Sequence, residues 1–248
     1  MKEWITGRNP VMETLKAKRR QVFKLLLATG VEEKGRIAEM LRIAKSLKIP
    51  VERVSRDRID RMGENPQGVA LEVSEFPYVD LMDILDHAEK TGEDLFVLVL
   101  DLIQNPQNLG TLLRTAEAAG VHGVVLPQHR AAGITPAVVS ASAGASEHML
   151  VTQLNINRAI DQLKQAGAWV VGLAGENAES SGGGIPLSGP MAIVVGNEGE
   201  GIRPLVRKSC DFILSLPMRG NIESLNAAVA GSIVLYQVLM ARQKGKVG

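Results

Sequence analysis

Three polar, glycine-containing segments carry the side chains of this chain that could do chemistry. They are residues 108–114 (Asn-Leu-Gly-Thr-Leu-Leu-Arg), 196–201 (Gly-Asn-Glu-Gly-Glu-Gly) and 216–226 (Leu-Pro-Met-Arg-Gly-Asn-Ile-Glu-Ser-Leu-Asn). Each follows an aliphatic run typical of a buried parallel strand and leads into a helical pattern. In an open α/β sheet, ligands bind just outside the carboxyl ends of the strands. We therefore expect the three segments to form one ligand site.

The charges of the second segment indicate which ligand it suits. Glycines at a strand-to-helix turn often bring backbone N–H groups to a phosphate. Here Glu198 and Glu200 would repel an anion, and no lysine follows as in a P-loop. A neutral or cationic ligand suits the segment better, and S-adenosylmethionine carries a sulfonium cation and no phosphate. A tight acidic turn that caps the next helix fits the same residues.

The first and third segments place polar side chains where helices are predicted to begin. Asn108 can cap a helix over 109–119, in which Arg114 lies beside the predicted buried stripe. Ser224 can cap a helix over 225–243, with Asn226 in its first turn, although asparagine is a poor helix former. Ordinary roles fit these residues too: a helix cap and a surface arginine in the first segment, and a capped core helix or an oligomer interface in the third.

No other group of residues competes with these segments. The four histidines fall in different predicted elements at spacings that match no metal site, so we expect no bound metal. His129, just after a predicted strand, is kept as a remote candidate for a base. Cys210 is the only cysteine, which excludes an internal disulfide and a cysteine-based metal cluster.

The elements that must position the segments form a predicted α/β protein. Residues 1–75 alternate helices and strands as a small α/β domain, 76–93 form a linker with one short helix, and 94–248 form a larger domain. In the larger domain strands alternate with helices, which indicates a parallel sheet covered on both faces. Its strands are predicted at 95–102, 123–127, 149–154, 168–174, 191–196 and 211–216, and its helices at 109–119, 136–146, 157–166, 202–209 and 225–243.

Composition and charge narrow the class of protein. Hydrophobic residues make up 45% of the 248 residues, yet no apolar run is long enough to cross a bilayer. The first residues also lack the apolar core of a signal peptide. We therefore expect a cytoplasmic protein without a membrane partner. Residues 1–75 carry 16 Lys and Arg against 11 Asp and Glu, whereas the rest carries 12 against 16. This asymmetry favours contact of the small domain with a polyanion, and a solvated charged surface is the alternative.

In this order, each between a strand and a helix, the three segments resemble the signature motifs of the SpoU/TrmH class of RNA ribose 2′-O-methyltransferases in the SPOUT superfamily. Residues 7–15 and 67–70 resemble the small substrate-binding domain of its ribosomal-RNA members, so the resemblance covers nearly the whole chain. It implies a C-terminal SPOUT domain with a trefoil knot, S-adenosylmethionine as cofactor, RNA as substrate, and a homodimer with its sites near the subunit boundary.

The resemblance also assigns residues by position. It implies a polar active-site set and a set that contacts the cofactor. The first is Asn108, Arg114, Glu198, Ser224 and Asn226, and the second is Gly175, Gly196, Leu216 and Leu225.

The implied reaction transfers a methyl group to a ribose 2′-OH, and the most similar members act on a guanosine of 23S rRNA. The alternatives are the same reaction on tRNA and a catalytically silent RNA-binding dimer. In the family's scheme the partner's Arg114 activates the hydroxyl. Because a guanidinium ordinarily keeps its proton, the alternative is that it fixes a phosphate and stabilises the alkoxide while water or phosphate takes the proton. Aromatic residues are only 3% of the chain, so RNA binding is expected to depend on phosphate contacts and on salt.

Overall fold

A computed structural model describes residues 2–129, 131–174, 187–197, 199–222 and 224–245. The chain forms two compact units, one of residues 1–77 with 134–148 and one of residues 78–133 with 149–248. In chain order the elements are β1 (Lys2–Thr6), α1 (Arg8–Ala17), β2 (Val22–Ala28), α2 (Arg36–Ser46), β3 (Val51–Val54), α3 (Arg56–Asp60), β4 (Val69–Ser74), α4 (Leu81–Thr91), β5 (Phe96–Asp101), α5 (Pro106–Ala118), β6 (Gly123–Leu126), α6 (Pro136–Ala141), a 3-10 helix (Ala145–His148), β7 (Val151–Gln153), α7 (Ile156–Gln165), β8 (Trp169–Ala174), β9 (Met191–Gly196), α8 (Pro204–Ser209), β10 (Phe212–Ser215) and α9 (Ala227–Gly245).

The first unit is a four-stranded sheet in the order β1-β4-β2-β3 with helices packed on it. The sequence predicts helices from residue 10 and over 32–47 and strands at 22–28, 51–55 and 68–73, so neither β1 nor α3 was predicted. Asn9 is predicted to cap the first helix, but α1 begins at Arg8 after Gly7, whose φ of 93° lies in the left-handed region. Asn9 is therefore inside the helix. The predicted small α/β domain is therefore present, with one more strand and one more helix than the sequence indicated.

Residues 134–148 pack in the first unit, whereas the division predicted from sequence counts them with the larger domain. Buried Arg20 donates from Nε and a terminal nitrogen to both carboxylate oxygens of Glu147, each at 2.9 Å. The predicted helix over 136–146 is instead α6 followed by a 3-10 turn, because Ala143 and Gly144 take φ values of 54° and 90° that end the α-helix.

The second unit contains a six-stranded sheet in the order β10-β8-β9-β5-β6-β7, and all neighbouring strands pair in parallel. This confirms the predicted parallel sheet. Its central strands β5 and β9 are buried along their whole length, as expected for aliphatic runs covered on both faces. The trefoil knot stays a prediction.

Parallel pairing brings the carboxyl ends of the strands to one edge of the sheet. The carboxyl ends of β10, β8, β9 and β5 are neighbours there, since these four strands are adjacent. The three segments singled out from the sequence follow β5, β9 and β10, which explains how residues far apart in the chain come to one place. In the part of the chain described, no helix has the length and apolar character needed to cross a membrane.

Candidate active site

A cavity of about 260 Å³ opens at the carboxyl ends of β8, β9 and β10. Four residues predicted to belong to the site contribute to its lining: Gly196 at the end of β9, Leu216 just after β10, and Ser224 and Leu225 just before α9. Ala174 at the end of β8 completes this part of the wall. The structure therefore joins the second and third segments into one cavity. Gly175 and Glu198 lie outside the described residues.

The loop after β9 is a tight turn organised by Asn197, which the sequence analysis did not single out. The backbone N–H groups of Asn197 and Gly201 each donate to the other's carbonyl at 3.2 Å. The Oδ1 of Asn197 accepts the N–H groups of Gly199 at 3.0 Å and Glu200 at 2.7 Å. An asparagine that bonds backbone two and three residues on is a common turn former, so the residue type was the available signal.

Gly196 has no room for a side chain. A Cβ at this position would lie 2.1 Å from the carbonyl carbon of Gly201 and 2.3 Å from the nitrogen of Ile202. These atoms belong to the backbone of the turn and cannot rotate away. The turn can therefore close against the end of β9 only because residue 196 is glycine.

The electrostatic character of the cavity agrees with the preference predicted from its second segment. Among the described residues that line it, Glu200 is the only charged side chain, and no lysine or arginine is present. The remaining wall is largely aliphatic, with Leu173, Leu216 and Leu225 among its residues. A phosphate would find no cationic side chain among these described residues, whereas a ligand with a positive centre would not be repelled.

The first and third segments meet through two asparagines. Nδ2 of Asn226 donates to Oδ1 of Asn108 at 3.2 Å. Oδ1 of Asn226 accepts the N–H groups of Ala228 at 2.9 Å and Val229 at 3.3 Å, so Asn226 caps α9. The prediction that Ser224 is the cap was wrong, because α9 begins at residue 227.

The start of α5 also differs from the prediction. The helix begins at Pro106, and Asn105 is its cap because Oδ1 of Asn105 accepts the N–H of Gln107 at 2.8 Å. Asn108 therefore lies in the first turn, where its side chain is available to Asn226. Proline at the first helical position explains the earlier start, since its missing N–H needs no partner there.

Close packing of α5 against α9 fixes the relative position of the two segments. A Cβ on Gly231 of α9 would lie 2.6 Å from a methyl group of Leu112, so the glycine permits the close approach. The hydroxyls of Thr115 and Ser232 are 2.9 Å apart across the same contact. This packing keeps Asn108 and Asn226 together.

Arg114 is not brought to the cavity within one chain. It is exposed on α5, it is absent from the cavity lining, and it makes no hydrogen bond or ion pair with any residue that the structure describes. The buried stripe of α5, which includes Leu112, Leu113 and Ala116, lies on another side of the helix, as predicted. Arg114 is thus an exposed cation on α5, without a partner among the described residues, rather than part of the cavity wall.

An ion pair between a buried carboxylate and a partly exposed arginine, missed by the sequence analysis, anchors the chain after the turn. Asp101, at the end of β5, is fully buried, and its Oδ2 accepts the backbone N–H of Arg203 at 2.9 Å. Its Oδ1 accepts Nε of Arg203 at 2.8 Å and lies 2.6 Å from a terminal guanidinium nitrogen. The signal was a carboxylate that directly ends a buried apolar run, because such a charge needs a partner.

Two titratable groups with shifted pKa values, Cys210 and His122, do not offer competing chemistry. Burial raises the pKa of the Cys210 thiol to about 12, so this cysteine is not a nucleophile near neutral pH. Burial lowers the pKa of His122, whose Nδ1 accepts the N–H of Phe96 at 3.0 Å. Within the described ranges, no group of three or more His, Cys, Asp or Glu side chains is arranged to hold a metal ion.

Comparison with known proteins relates this site to a family. Residues 95–236 match the model of the SpoU rRNA methylase family, and residues 4–79 match the model for RNA 2′-O ribose methyltransferase substrate binding. The chain is 39% identical over 246 residues to YacO of Bacillus subtilis, named a TrmH family tRNA/rRNA methyltransferase, covering 97% of this chain and 96% of that one. A Staphylococcus aureus protein with the same family name is 38% identical over 240 residues, covering 96% of each chain.

Solved structures share the fold. The SpoU methyltransferase AviRb from Streptomyces viridochromogenes has a TM-score of 0.80 at 24% identity, covering 98% of this chain and 91% of that one. An AdoMet-bound rRNA methyltransferase from Sinorhizobium meliloti has a TM-score of 0.77 at 23% identity, covering 96% and 86%. The family models span both predicted domains, and the three segments lie within the first match. The chain therefore belongs to the SpoU/TrmH family of RNA methyltransferases.

Proposed function

We propose that this protein transfers a methyl group from S-adenosylmethionine to a ribose 2′-OH of RNA, on a guanosine of 23S rRNA. The observation that carries the proposal is the cavity at the ends of β8, β9 and β10, with one carboxylate and no cationic side chain in its described lining. Such a wall suits a sulfonium ligand without phosphate. Relatives of this chain are named tRNA/rRNA methyltransferases, and similar structures contain AdoMet.

The residues of the cavity fit the cofactor by their chemistry. Leu173, Leu216 and Leu225 offer an apolar wall for an adenine ring, and the carboxylate of Glu200 suits a positively charged group. The turn closed by Asn197 brings backbone close to the ligand because Gly196 has no side chain. When bound, S-adenosylmethionine supplies an electrophilic methyl group.

The polar residues beside the cavity would orient the ribose. Asn108 and Asn226 are held together at 3.2 Å, and Ser224 lines the cavity, so their amides and hydroxyl can fix a sugar next to the methyl donor. The 2′-OH must pass its proton to water or to an RNA phosphate as its oxygen attacks. A guanidinium placed beside that oxygen stabilises the developing negative charge, and this is the role proposed for Arg114.

An exposed apolar stripe supports assembly into a homodimer, which would supply Arg114 to the site. Four residues of α9 at helical spacing are 38–60% exposed: Val229, Ile233, Tyr236 and Met240. A stripe of this kind on a helix is stabilised when a second copy covers it. We infer that two chains pair through α9 and that the partner's Arg114 completes each site.

The first test is methylation itself. Purified protein, labelled S-adenosylmethionine and unmodified 23S rRNA or tRNA are incubated, and the product is mapped by its alkali-resistant linkage. We expect label at one guanosine of 23S rRNA. Label in tRNA alone would replace the proposed substrate, and cofactor binding without any RNA label would indicate the silent RNA-binding dimer.

Arg114→Lys tests the arginine, with Arg158→Lys, an exposed arginine on α7, as the matched control. Loss of one preorganised charge-stabilising group typically costs about 10²–10³-fold in kcat. We expect a loss of this size for Arg114→Lys, unchanged cofactor affinity, and wild-type activity for the control. Equal activity of the two variants would remove Arg114 from the mechanism.

A mixing experiment tests whether the site is shared between subunits. Arg114→Ala and Asn226→Ala chains are each expected to be inactive, but a mixed dimer would contain one intact site. Random mixing at equal amounts should restore about a quarter of wild-type activity, because half of the dimers are mixed and one of their two sites is intact. No recovery would place Arg114 and Asn226 in a site made by one chain. Ile233→Asp should produce monomers in sedimentation, whereas Met82→Asp, at a position on α4 that is 61% exposed in the free chain, should not.

A further inference from the structure

A second cavity lies beside the first in the same unit. It has a volume of about 500 Å³ and opens at the carboxyl ends of β5, β6 and β7. Glu200 lines both cavities, so the turn after β9 is a shared wall between them. Ligands of α/β sheets bind at this edge, and the volume is that of an ordinary small-molecule pocket.

The walls of the second cavity combine apolar surface with a few polar side chains. Leu102, Leu154 and Ile156 provide apolar surface, and Gln128 and His129 are exposed polar residues just after β6. His129 is the histidine that the sequence analysis kept as a remote base candidate. The mechanism proposed for the first cavity uses none of these five residues.

The backbone at the cavity is strained. Leu102 has a φ of 66°, in the left-handed region that a leucine rarely adopts. Such strain costs about 1–3 kcal/mol and persists where the surroundings enforce it, often at binding sites. The residue before it is Asp101, so the strained turn comes directly after the carboxylate that holds Arg203.

Arg203 presents a guanidinium of fixed orientation to the second cavity. Asp101 engages Nε and one terminal nitrogen through Oδ1, while the side chain of Arg203 remains 42% exposed. The other terminal nitrogen makes no hydrogen bond with a residue in the described ranges. A planar cation held along one edge leaves its face available for stacking, and RNA-binding proteins stack unpaired bases on arginine in this way.

The charges of the cavity disfavour phosphate as its ligand. The positive charge of Arg203 is compensated by buried Asp101 at 2.6 Å, and Glu200 adds a negative charge to the lining. A phosphate would meet no net positive charge. A neutral, planar ligand with hydrogen-bonding edges fits better, because the apolar surface and the guanidinium face can cover its ring and Gln128 can contact its edge.

We propose that the second cavity binds one unpaired nucleobase of the substrate RNA, stacked on Arg203 and contacted by Gln128. This rests on the proposed function for the identity of the ligand. The wall shared with the first cavity would place the ribose of the bound strand beside the methyl donor. Base recognition here would supply selectivity that phosphate contacts of the small, basic domain do not provide.

Nucleoside binding tests the proposal without any methylation. The full-length protein is labelled at leucine and isoleucine methyl groups and titrated separately with guanosine, adenosine, cytidine, uridine and inorganic phosphate. We expect at least one nucleoside, and not phosphate, to shift the methyl resonances of Leu102, Leu154 and Ile156. S-adenosylhomocysteine should shift those of Leu173 and Leu216 in the first cavity instead.

Three results of this titration would overturn the proposal: no shift with any nucleoside, equal shifts with phosphate, or nucleoside shifts confined to the first cavity. Because the readout does not require RNA methylation, it is separate from the test of the proposed function. A protein that methylates RNA but fails the titration keeps its proposed function and loses this inference.

Substitutions then test the role of the cavity in RNA recognition. Gln128→Ala is compared with Gln165→Ala, an exposed glutamine at the end of α7. Arg203→Lys keeps a positive charge for Asp101 but removes the planar group needed for stacking. For Gln128→Ala and Arg203→Lys we expect the KM for RNA to rise about tenfold, with unchanged affinity for S-adenosylhomocysteine.

The salt dependence of RNA binding separates base contacts from phosphate contacts. Losing a phosphate contact lowers the slope of log K against log salt by about 1, whereas losing a base contact leaves the slope unchanged. We expect the wild-type slope for Gln128→Ala and Arg203→Lys. A lower slope, or a Gln128→Ala variant that behaves like Gln165→Ala, would contradict base binding in this cavity.

Discussion

Replacing Gly196 with alanine should damage the cofactor cavity by displacing one loop. The added Cβ would lie 2.1 Å from the carbonyl carbon of Gly201, 2.2 Å from its oxygen and 2.3 Å from the nitrogen of Ile202. Ordinary contacts to carbon begin near 3.5 Å, so the turn after β9 must move by about 1 Å. The carbonyl carbon and oxygen of Gly201 belong to the backbone, so the turn has to move as a whole, and the cavity wall that it forms moves with it.

A displacement of this size has a predictable cost. Misplacing a binding group by about 1 Å can cost about 100-fold, so we expect Gly196→Ala to weaken binding of S-adenosylhomocysteine by about that factor. In free energy this is about 2.7 kcal/mol. Overpacking should also lower the free energy of unfolding by about 1–3 kcal/mol. Isothermal titration calorimetry measures the first effect and denaturant unfolding the second.

Two glycines of the same turn serve as controls. At Gly199 an added Cβ would meet only Oδ1 of Asn197, at 3.8 Å, so Gly199→Ala should bind the ligand nearly as wild type does. Gly201 has free space but a φ of 67°, so Gly201→Ala should cost stability, about 1 kcal/mol, without a collision. Tight binding by Gly196→Ala, or equal losses for Gly196→Ala and Gly199→Ala, would refute the steric argument.

Three further predictions concern other residues of the second unit. Asn226→Ala removes the cap of α9 and should lower the free energy of unfolding by about 1 kcal/mol. Asn226→Asp keeps an oxygen that accepts the same N–H group and serves as the control. Equal urea midpoints for the two variants would contradict the capping role. Because the pKa of Cys210 is about 12 instead of 9.0, iodoacetamide should alkylate it about 1000-fold more slowly in the folded than in the unfolded protein at pH 8, and similar rates would contradict burial. The pKa of His122 lies below its usual 6.5, so the stability that its neutral form contributes is present above that pH and is lost as the pH falls. His122→Asn keeps an acceptor for the N–H of Phe96 and should show a flatter decline of Tm on acidification. An unchanged slope would show that His122 does not cause the decline.

Local patterns predicted much of the fold. The aliphatic runs that became β5 and β9 and the helical periods of α5 and α7 were placed correctly to within a few residues. A continuous apolar run indicates a buried parallel strand, and apolar residues at helical spacing indicate an amphipathic helix. Strand β1 was missed because Lys2–Thr6 alternates only weakly, and its burial depends on pairing with β4, more than 60 residues away.

The site was predicted less completely for the same reason. Gly196, Leu216, Ser224 and Leu225 were found through motif resemblance, and the structure brings them together. The Asp101–Arg203 pair was not found, because it joins residues 102 positions apart and the local sequence does not show which cation meets the buried carboxylate. Long-range pairs of this kind depend on the completed sheet, which local sequence does not encode.

The place of residues 134–148 limits how far this protein can be treated as a set of interchangeable modules. The polypeptide passes between the two compact units after residues 77, 133 and 148, so no single cut separates them. A fragment of residues 94–248 would leave the buried carboxylate of Glu147 without the guanidinium of Arg20, and losing one partner of a buried pair costs about 3–5 kcal/mol. In a chimera that takes its small N-terminal region from a relative, the segment matching residues 134–148 should therefore come from the same relative.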